Sequence, residues 1–316
     1  MSDELFYDPE VRAAIEASPS LGTVDGNTIE AVRANRMLLN EQVALSDAVT
    51  RTDTMVPGPD GASDIRLRVH RPVGADGDLP CLFWMHGGGY VLGSPEQDDL
   101  RFDRWCQRFG LMGVAVQYRL APEHPYPAAI EDSYAGLKWV KENGSELGID
   151  TDRVGIGGPS GGGGLAAALG LVVRDRAEFS IDYQLLIYPM IDDTRASVSA
   201  GWDVPVWTPE SNRFGWSSYL GDLFGGDDVP PHAAPSRETN LAGLPPTYIM
   251  VGSLDGFADE DIDYAMRLNH AGVAVELHVY PGAPHGFEGF APQAAVAKQA
   301  RRDINNWLGR MIGDQT

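Results

Sequence analysis

Apolar and polar residues alternate over 64–70 (DIRLRVH), the pattern of a strand with one buried face. Just upstream, 49–56 (VTRTDTMV) is rich in β-branched residues, with threonine at every second position from Thr50 to Thr54. The turn-forming PGPDG at 57–61 separates the two runs and predicts an antiparallel hairpin. Beyond it the pattern changes to short, mainly apolar runs: 81–85 (CLFWM), 112–117 (MGVAVQ), 153–157 (RVGIG), 183–188 (YQLLIY), 247–251 (TYIMV) and 275–280 (VELHVY). Such runs suit strands covered on both faces. Helical stretches at 98–109, 127–142, 162–175 and 260–271 sit between them. A last helix, 292–311, carries Ile304, Trp307, Leu308 and Met311 on one face. This alternation predicts an α/β fold with a mostly parallel central sheet flanked by helices.

Two regions stand outside it. At the N-terminus, 8–18 and 28–45 read as helices; in the second, Ile29, Val32, Met37, Leu38 and Val43 recur at roughly helical spacing and predict its buried stripe. Residues 190–243 show no convincing strand but hold Trp202, Trp207, Phe214, Trp216 and Tyr219. Residues 1–48 and 190–243 are expected to form a helical cap over the C-terminal edge of the sheet, where ligands bind in open α/β folds. Residues 49–316 are expected to form the main domain, with 190–243 contributing to the cap.

Composition narrows the picture. At 316 residues, with 43% hydrophobic and 22% charged, the chain is neither disordered nor a disulfide-stapled miniprotein. The apolar run 165–173 is far shorter than the ~18–20 residues of a membrane span. The opening MSDELFYDPE is acidic and lacks an apolar core, so no secretory signal is expected. Cys81 and Cys106 are too few for a disulfide framework and are expected in the core. A cytoplasmic protein, monomeric or homodimeric, is expected. The net charge of −21 argues against nucleic acid and anionic membranes as partners. Acid is concentrated in residues 1–50, with nine acidic and three basic side chains, and in the run DEDID at 259–263, which is expected to be a solvated face.

The strongest chemical signal is Gly158-Pro159-Ser160-Gly161-Gly162, which follows a strand and opens a helix. A Gly-x-Ser-x-Gly in that setting fits a nucleophile elbow, whose glycines allow a turn too tight for side chains. No lysine completes a phosphate loop, which disfavours a nucleotide-binding enzyme. Pro159 lacks an N–H, but the oxyanion donor would be the residue after the nucleophile, Gly161. The second signal is His86-Gly87-Gly88-Gly89 directly after the strand at 81–85. Three glycines leave backbone N–H groups open to a developing oxyanion. His86 is expected to orient this loop rather than to titrate in catalysis.

A serine nucleophile needs a general base, and the base an orienting carboxylate. In this fold they follow in the order Ser, Asp or Glu, His. Among His270, His278 and His285, only His285 lies in a loop after the last strand. Asp255 lies in the turn after 247–251, whereas its competitor Asp259 begins the next helix, where an acid suits the helix dipole.

Together these motifs resemble the hormone-sensitive-lipase-like family of α/β-hydrolases, the bacterial family IV esterases, from about residue 65 to the end. A further piece is Tyr118-Arg119-Leu120-Ala121-Pro122-Glu123 with His124-Pro125-Tyr126-Pro127-Ala128. The resemblance implies hydrolysis of short- to medium-chain carboxylic esters without metal or organic cofactor, with a small-molecule ester and water as partners. It implies oxyanion donors at Gly88, Gly89 and Gly161, with Gly87 a further candidate, and structural roles for Arg119 and Glu123. Three departures bear on substrate preference: Pro159 where the family has Asp or Thr, Gly161 where it has Ala, and Asp255-Gly256-Phe257 where it has Asp-Pro-Leu. Tyr90, Trp202, Trp207, Phe214, Trp216, Tyr219 and Phe257 are candidate pocket residues; packing of the cap onto the body is the other reading. An amidase or lactonase on the same triad is the alternative within enzymes. A non-catalytic small-molecule receptor of this fold is the alternative outside them.

Overall fold

The computed structural model describes residues 6–17, 22–59 and 61–313. Residues 1–5 of the acidic opening, Ser18 at the end of the first expected helix and Asp60 of the hairpin turn lie outside them. The chain runs α1 (Pro9–Ala17), α2 (Ile29–Glu41), β1 (Val49–Val56), β2 (Ile65–Pro72), β3 (Leu79–Met85), α3 (Asp99–Phe109), β4 (Met112–Val116), α4 (Ala128–Asn143) and β5 (Ile149–Pro159). It continues through α5 (Gly161–Arg176), β6 (Gln184–Ile187), α6 (Pro209–Leu220), β7 (Thr247–Gly252), α7 (Ala258–His270), β8 (Val275–Tyr280), α8 (Phe287–Phe290) and α9 (Ala295–Ile312).

The eight strands form one sheet in the order β1-β2-β4-β3-β5-β6-β7-β8. The β1–β2 hairpin is antiparallel, and β2 pairs antiparallel with β4. Every later pairing is parallel. Strand order reverses at β3: the chain leaves it toward β4 and returns on its other side as β5. The loops after β3 and β5 therefore emerge side by side at a topological switch point, where open α/β sheets hold their ligands.

Apolar runs with no polar alternation have a direct cause here. In β3, Phe83 and Met85 join the core cluster beneath α4, α5 and α7. Leu82 and Trp84 join the opposite cluster with Phe102, Trp105 and Cys106 of α3 and Ile304, Trp307 and Leu308 of α9. Burial on both faces stabilises the strands by the usual ~25 cal/mol per Å2 of apolar surface. Cys81 and Cys106 are buried and free. Among the described residues no helix is long and apolar enough to cross a membrane.

Two expectations from the hydrophobic pattern fail. The second helix ends at Glu41 rather than at 45, and its expected apolar stripe does not face the core. Ile29 is buried and Val32 packs against the core, but Met37, Leu38 and Val43 are exposed. Arg33 is what ties this helix down. Its Nε donates to Val91 O at 2.9 Å, its Nη2 to Ala121 O at 3.0 Å and its Nη1 to Glu123 Oε1 at 2.6 Å. The second failure is the acidic run at 259–263. Asp263 is solvated, but Glu260 and Asp261 are buried in α7.

The 190–243 segment has no strand among its residues; it holds α6 and short 3-10 turns. Pro209 stands in the first turn of α6, and Thr208 Oγ1 caps it by accepting from Ser211 N at 3.2 Å. Val24 N donates to Ser211 Oγ at 2.9 Å and joins the N-terminal segment to this helix.

Candidate active site

Ser160 stands between β5 and α5 with φ +57° and ψ −124°, backbone angles that a residue with a side chain rarely adopts. Such a conformation costs about 1–3 kcal/mol and persists only where the surroundings hold it. Ser160 N donates to Ile187 O at 2.8 Å, and Ser160 O accepts from Gly164 N at 2.9 Å and Met190 N at 3.0 Å. The flanking glycines are required by space. A Cβ on Gly158 would lie 2.5 Å from Met85 O and from Gly162 C, and one on Gly162 2.1 Å from Met85 O.

The hydroxyl meets the imidazole predicted for it. His285 Nε2 is 2.9 Å from Ser160 Oγ, and His285 Nδ1 is 2.8 Å from Asp255 Oδ2. With Nδ1–H donating to the carboxylate, Nε2 is left to accept the serine proton. All three side chains are buried. Asp255 Oδ1 accepts from Phe257 N at 3.1 Å, which fixes the carboxylate. The turns after β7 and β8 are stitched together: Leu254 N donates to Ala283 O at 3.0 Å and Gly282 N to Ser253 Oγ at 2.9 Å. Asp259 is elsewhere, accepting from Ser199 N at 2.9 Å. His270 ends α7, and His278 pairs with Glu276 at 2.9 Å.

Beside the serine lies the glycine loop. Gly88 and Gly89 have φ of +135° and +57°. The N–H groups of Gly88, Gly89 and Gly161 donate to no partner among the described residues. A Cβ on Gly161 would lie 2.9 Å from Gly89 N and from Tyr90 N, so the loop runs directly over the start of α5. That close approach accounts for glycine at 161. Unpaired N–H groups at a helix N-terminus favour negative charge.

His86 is buried beneath this loop, stacked on Tyr118 with ring centroids 4.2 Å apart. Burial pushes its pKa down to about 4, so its ring is neutral at neutral pH. Tyr118 Oη donates to His86 O at 2.7 Å, and Gln97 Nε2 to Gly87 O at 3.1 Å. Arg119 pairs with Asp132, with Nη2 2.7 Å from Oδ1, and Glu123 pairs with Arg33 as described. Neither touches the triad.

Of the aromatic candidates, Phe257 packs edge-on against the His285 ring with centroids 5.0 Å apart. Trp207 lies on Gly89: a Cβ there would be 2.3 Å from the indole Cη2. Tyr90, Trp216 and Tyr219 form one buried aromatic group in which Tyr90 stacks on Tyr219 at 4.1 Å. Tyr90 Oη donates to Met190 O at 2.6 Å. Phe214 and Trp202 are partly buried, Phe214 reaching toward Gly26 and Trp202 packing against the core. Sequence reasoning missed Tyr188, whose ring lies 4.6 Å from the imidazole and whose hydroxyl donates to Glu288 Oε1 at 2.7 Å. It also missed Val206, beside Gly286 with φ +79°. A tyrosine after a strand and a valine before a tryptophan carry no local signal of either place.

Two buried acids stand behind Asp255 on α7. Glu260 Oε1 accepts from Ile191 N at 3.0 Å and Asp192 N at 3.2 Å and so holds the start of the insertion. Asp261 is fully buried, and neither carboxyl oxygen has a partner among the described residues. Burial, then the nearby Glu260 and Asp255 carboxyls, push its pKa up. A carboxyl that binds its proton more tightly when folded contributes stability at low pH that is lost as pH rises through its folded pKa. Asp261→Asn is therefore expected to melt higher than the wild type at pH 8, with the gap closing toward pH 4. Thermal melts across that range check this; a constant gap would place the burden of Asp261 elsewhere.

The α/β hydrolase fold family model matches residues 82–289. Esterase LipI of Mycobacterium tuberculosis is 34% identical over 295 residues, 93% of this chain and 91% of that one. Carboxylesterase NlhH of the same species is 34% identical over 302 residues, 93% of this chain and 92% of that one. The solved structure of a bacterial heroin esterase superposes with a TM-score of 0.91 at 36% identity, covering 97% of this chain and 98% of that one. The sheet order, the strained serine between β5 and α5 and these similarities agree: the chain belongs to the α/β-hydrolase fold family, in its hormone-sensitive-lipase-like group.

Proposed function

We propose that this chain is a serine carboxylesterase that hydrolyses short- to medium-chain acyl esters through an acyl-enzyme. Two of its relatives are named esterases and one a carboxylesterase, which supports this reading. The observation that carries the mechanism is the continuous hydrogen-bonded run Asp255–His285–Ser160 beside the unpaired N–H groups of Gly88, Gly89 and Gly161.

Ser160 Oγ attacks the ester carbonyl carbon while His285 Nε2 takes its proton. Asp255 holds the ring in the tautomer that accepts this proton and stabilises the resulting charge. The carbonyl oxygen becomes an oxyanion that receives hydrogen bonds from the three glycine N–H groups, each such donor worth about 10²–10³ in rate. His285 then gives its proton to the leaving alkoxide oxygen, which departs as the alcohol. Water attacks the acyl-enzyme by the same route and releases the carboxylic acid with Ser160 restored. The described residues of the 1–48 segment, together with 190–243, act as the cover of the site, joined by the Val24–Ser211 bond. Trp207, largely buried over Gly89, limits the acyl group, which favours short chains.

The test is a series of p-nitrophenyl esters from acetate to palmitate, together with labelling by a fluorophosphonate probe. Labelling at Ser160 and a kcat/KM that peaks among short chains and falls steeply with length are expected. A folded protein that neither labels nor turns over any ester would overturn the reading. Matched amide and lactone substrates are expected to react more slowly than the ester.

A further inference from the structure

The glycine loop is gripped from both sides, and one side belongs to the 190–243 insertion. On the body side, Gly161 leaves no room: its Cβ would be 2.9 Å from Gly89 N. On the other side, the Trp207 indole occupies the place a Gly89 side chain would take, and α6 follows with Gly215. A Cβ on Gly215 would come within 2.8 Å of Gly89 O, and within 3.3 Å of the Trp207 ring and of Met190 Cε. Trp216, next in α6, and Tyr219, one turn on, pack against Tyr90, the residue after the loop. Glycine within a helix is disfavoured relative to alanine. Its place at 215, in the sixth-to-last position of a 12-residue helix, thus opposes local propensity and is matched by a backbone approach that no side chain permits.

We propose that α6 sets the position of the oxyanion donors, with Gly215 and Trp207 as positioning residues for Gly88 and Gly89. The inference rests on the serine-esterase reading above and adds to it. Substrate need not touch Gly215 at all. An added methyl there would push on the Gly89 carbonyl and turn the adjoining peptide groups away from the place where the oxyanion forms. Misplacing a reacting group by about 1 Å can cost on the order of 10²-fold. The loss would fall on the transition state, since the planar ester gains little from these donors before attack.

The experiment compares wild type, Gly215→Ala and Glu210→Ala, the last an exposed helix control. Active sites are first counted by fluorophosphonate labelling. For p-nitrophenyl acetate, Gly215→Ala is expected to lower kcat per labelled site by about 10–100-fold, with KM changed by less than about threefold. An alkyl trifluoromethyl ketone, whose adduct with Ser160 is an oxyanion, is expected to lose affinity by the same factor as kcat/KM. Glu210→Ala is expected to match the wild type in all three. A folded Gly215→Ala enzyme with wild-type kcat and ketone affinity overturns the proposal. So does a variant that only loses thermal stability. If Gly215→Ala does not fold, Trp207→Leu removes the neighbouring contact on the same side of the loop: parallel loss of kcat and ketone affinity supports the proposal, and retention of both overturns it. A wild-type protein that neither labels nor hydrolyses esters would instead defeat the esterase reading itself.

Discussion

Ser160→Ala is expected to reduce hydrolysis of p-nitrophenyl acetate by about 10⁶-fold, to the level left by the oxyanion donors and binding alone. The magnitude follows from what the hydroxyl does. It is the nucleophilic oxygen 2.9 Å from His285 Nε2, so its loss removes the acyl-enzyme route altogether. The fold should tolerate the change well. The strained backbone at 160 is held by the bonds to Ile187 O, Gly164 N and Met190 N, all of which are main-chain and survive in alanine. A variant with wild-type melting temperature and no turnover is therefore the expected pair of results, measured by thermal melt and by initial rate. Wild-type turnover in the folded variant would remove Ser160 from the mechanism.

How much of this was legible in the sequence depends on how local the cause was. The elbow, the glycine loop and the positions of Asp255 and His285 are set by short turns after strands, and each turn carries its own residue signature. The strands were readable because both faces are covered and their apolar runs are uninterrupted. What failed depended on partners far along the chain. The spacing of Met37, Leu38 and Val43 suggested a buried stripe, but Arg33 anchors that helix through carbonyls at 91 and 121 and leaves those residues in solvent. Asp261 looked solvated among three other acids, yet helix α7 turns it inward. Gly215 did carry a signal: a glycine inside a capped helix asks for a reason. Only the position of Gly89 supplies it.

Asp255→Asn is expected to lower kcat by roughly 10⁴ while leaving the fold and the glycine loop in place. The reason lies in which ring nitrogen carries the proton. As a carboxylate, Asp255 Oδ2 can only accept, so His285 Nδ1 donates and Nε2 is bare toward Ser160. An asparagine that keeps Oδ1 on the Phe257 N–H must turn its NH2 toward Nδ1. Nδ1 then accepts, the proton moves to Nε2, and the base faces the serine with its proton already bound. Asp259 cannot take over, because its carboxylate is committed to Ser199 N at 2.9 Å on the far side of the turn. Asp259→Asn is accordingly expected to change kcat by less than about tenfold, through the anchoring of the 199 turn. If the two variants exchanged these effects, the acid of the triad would be Asp259, and the short bond between Asp255 and His285 would be an incidental contact. The steady-state kcat of the two variants, each normalised to labelled serine, separates these cases.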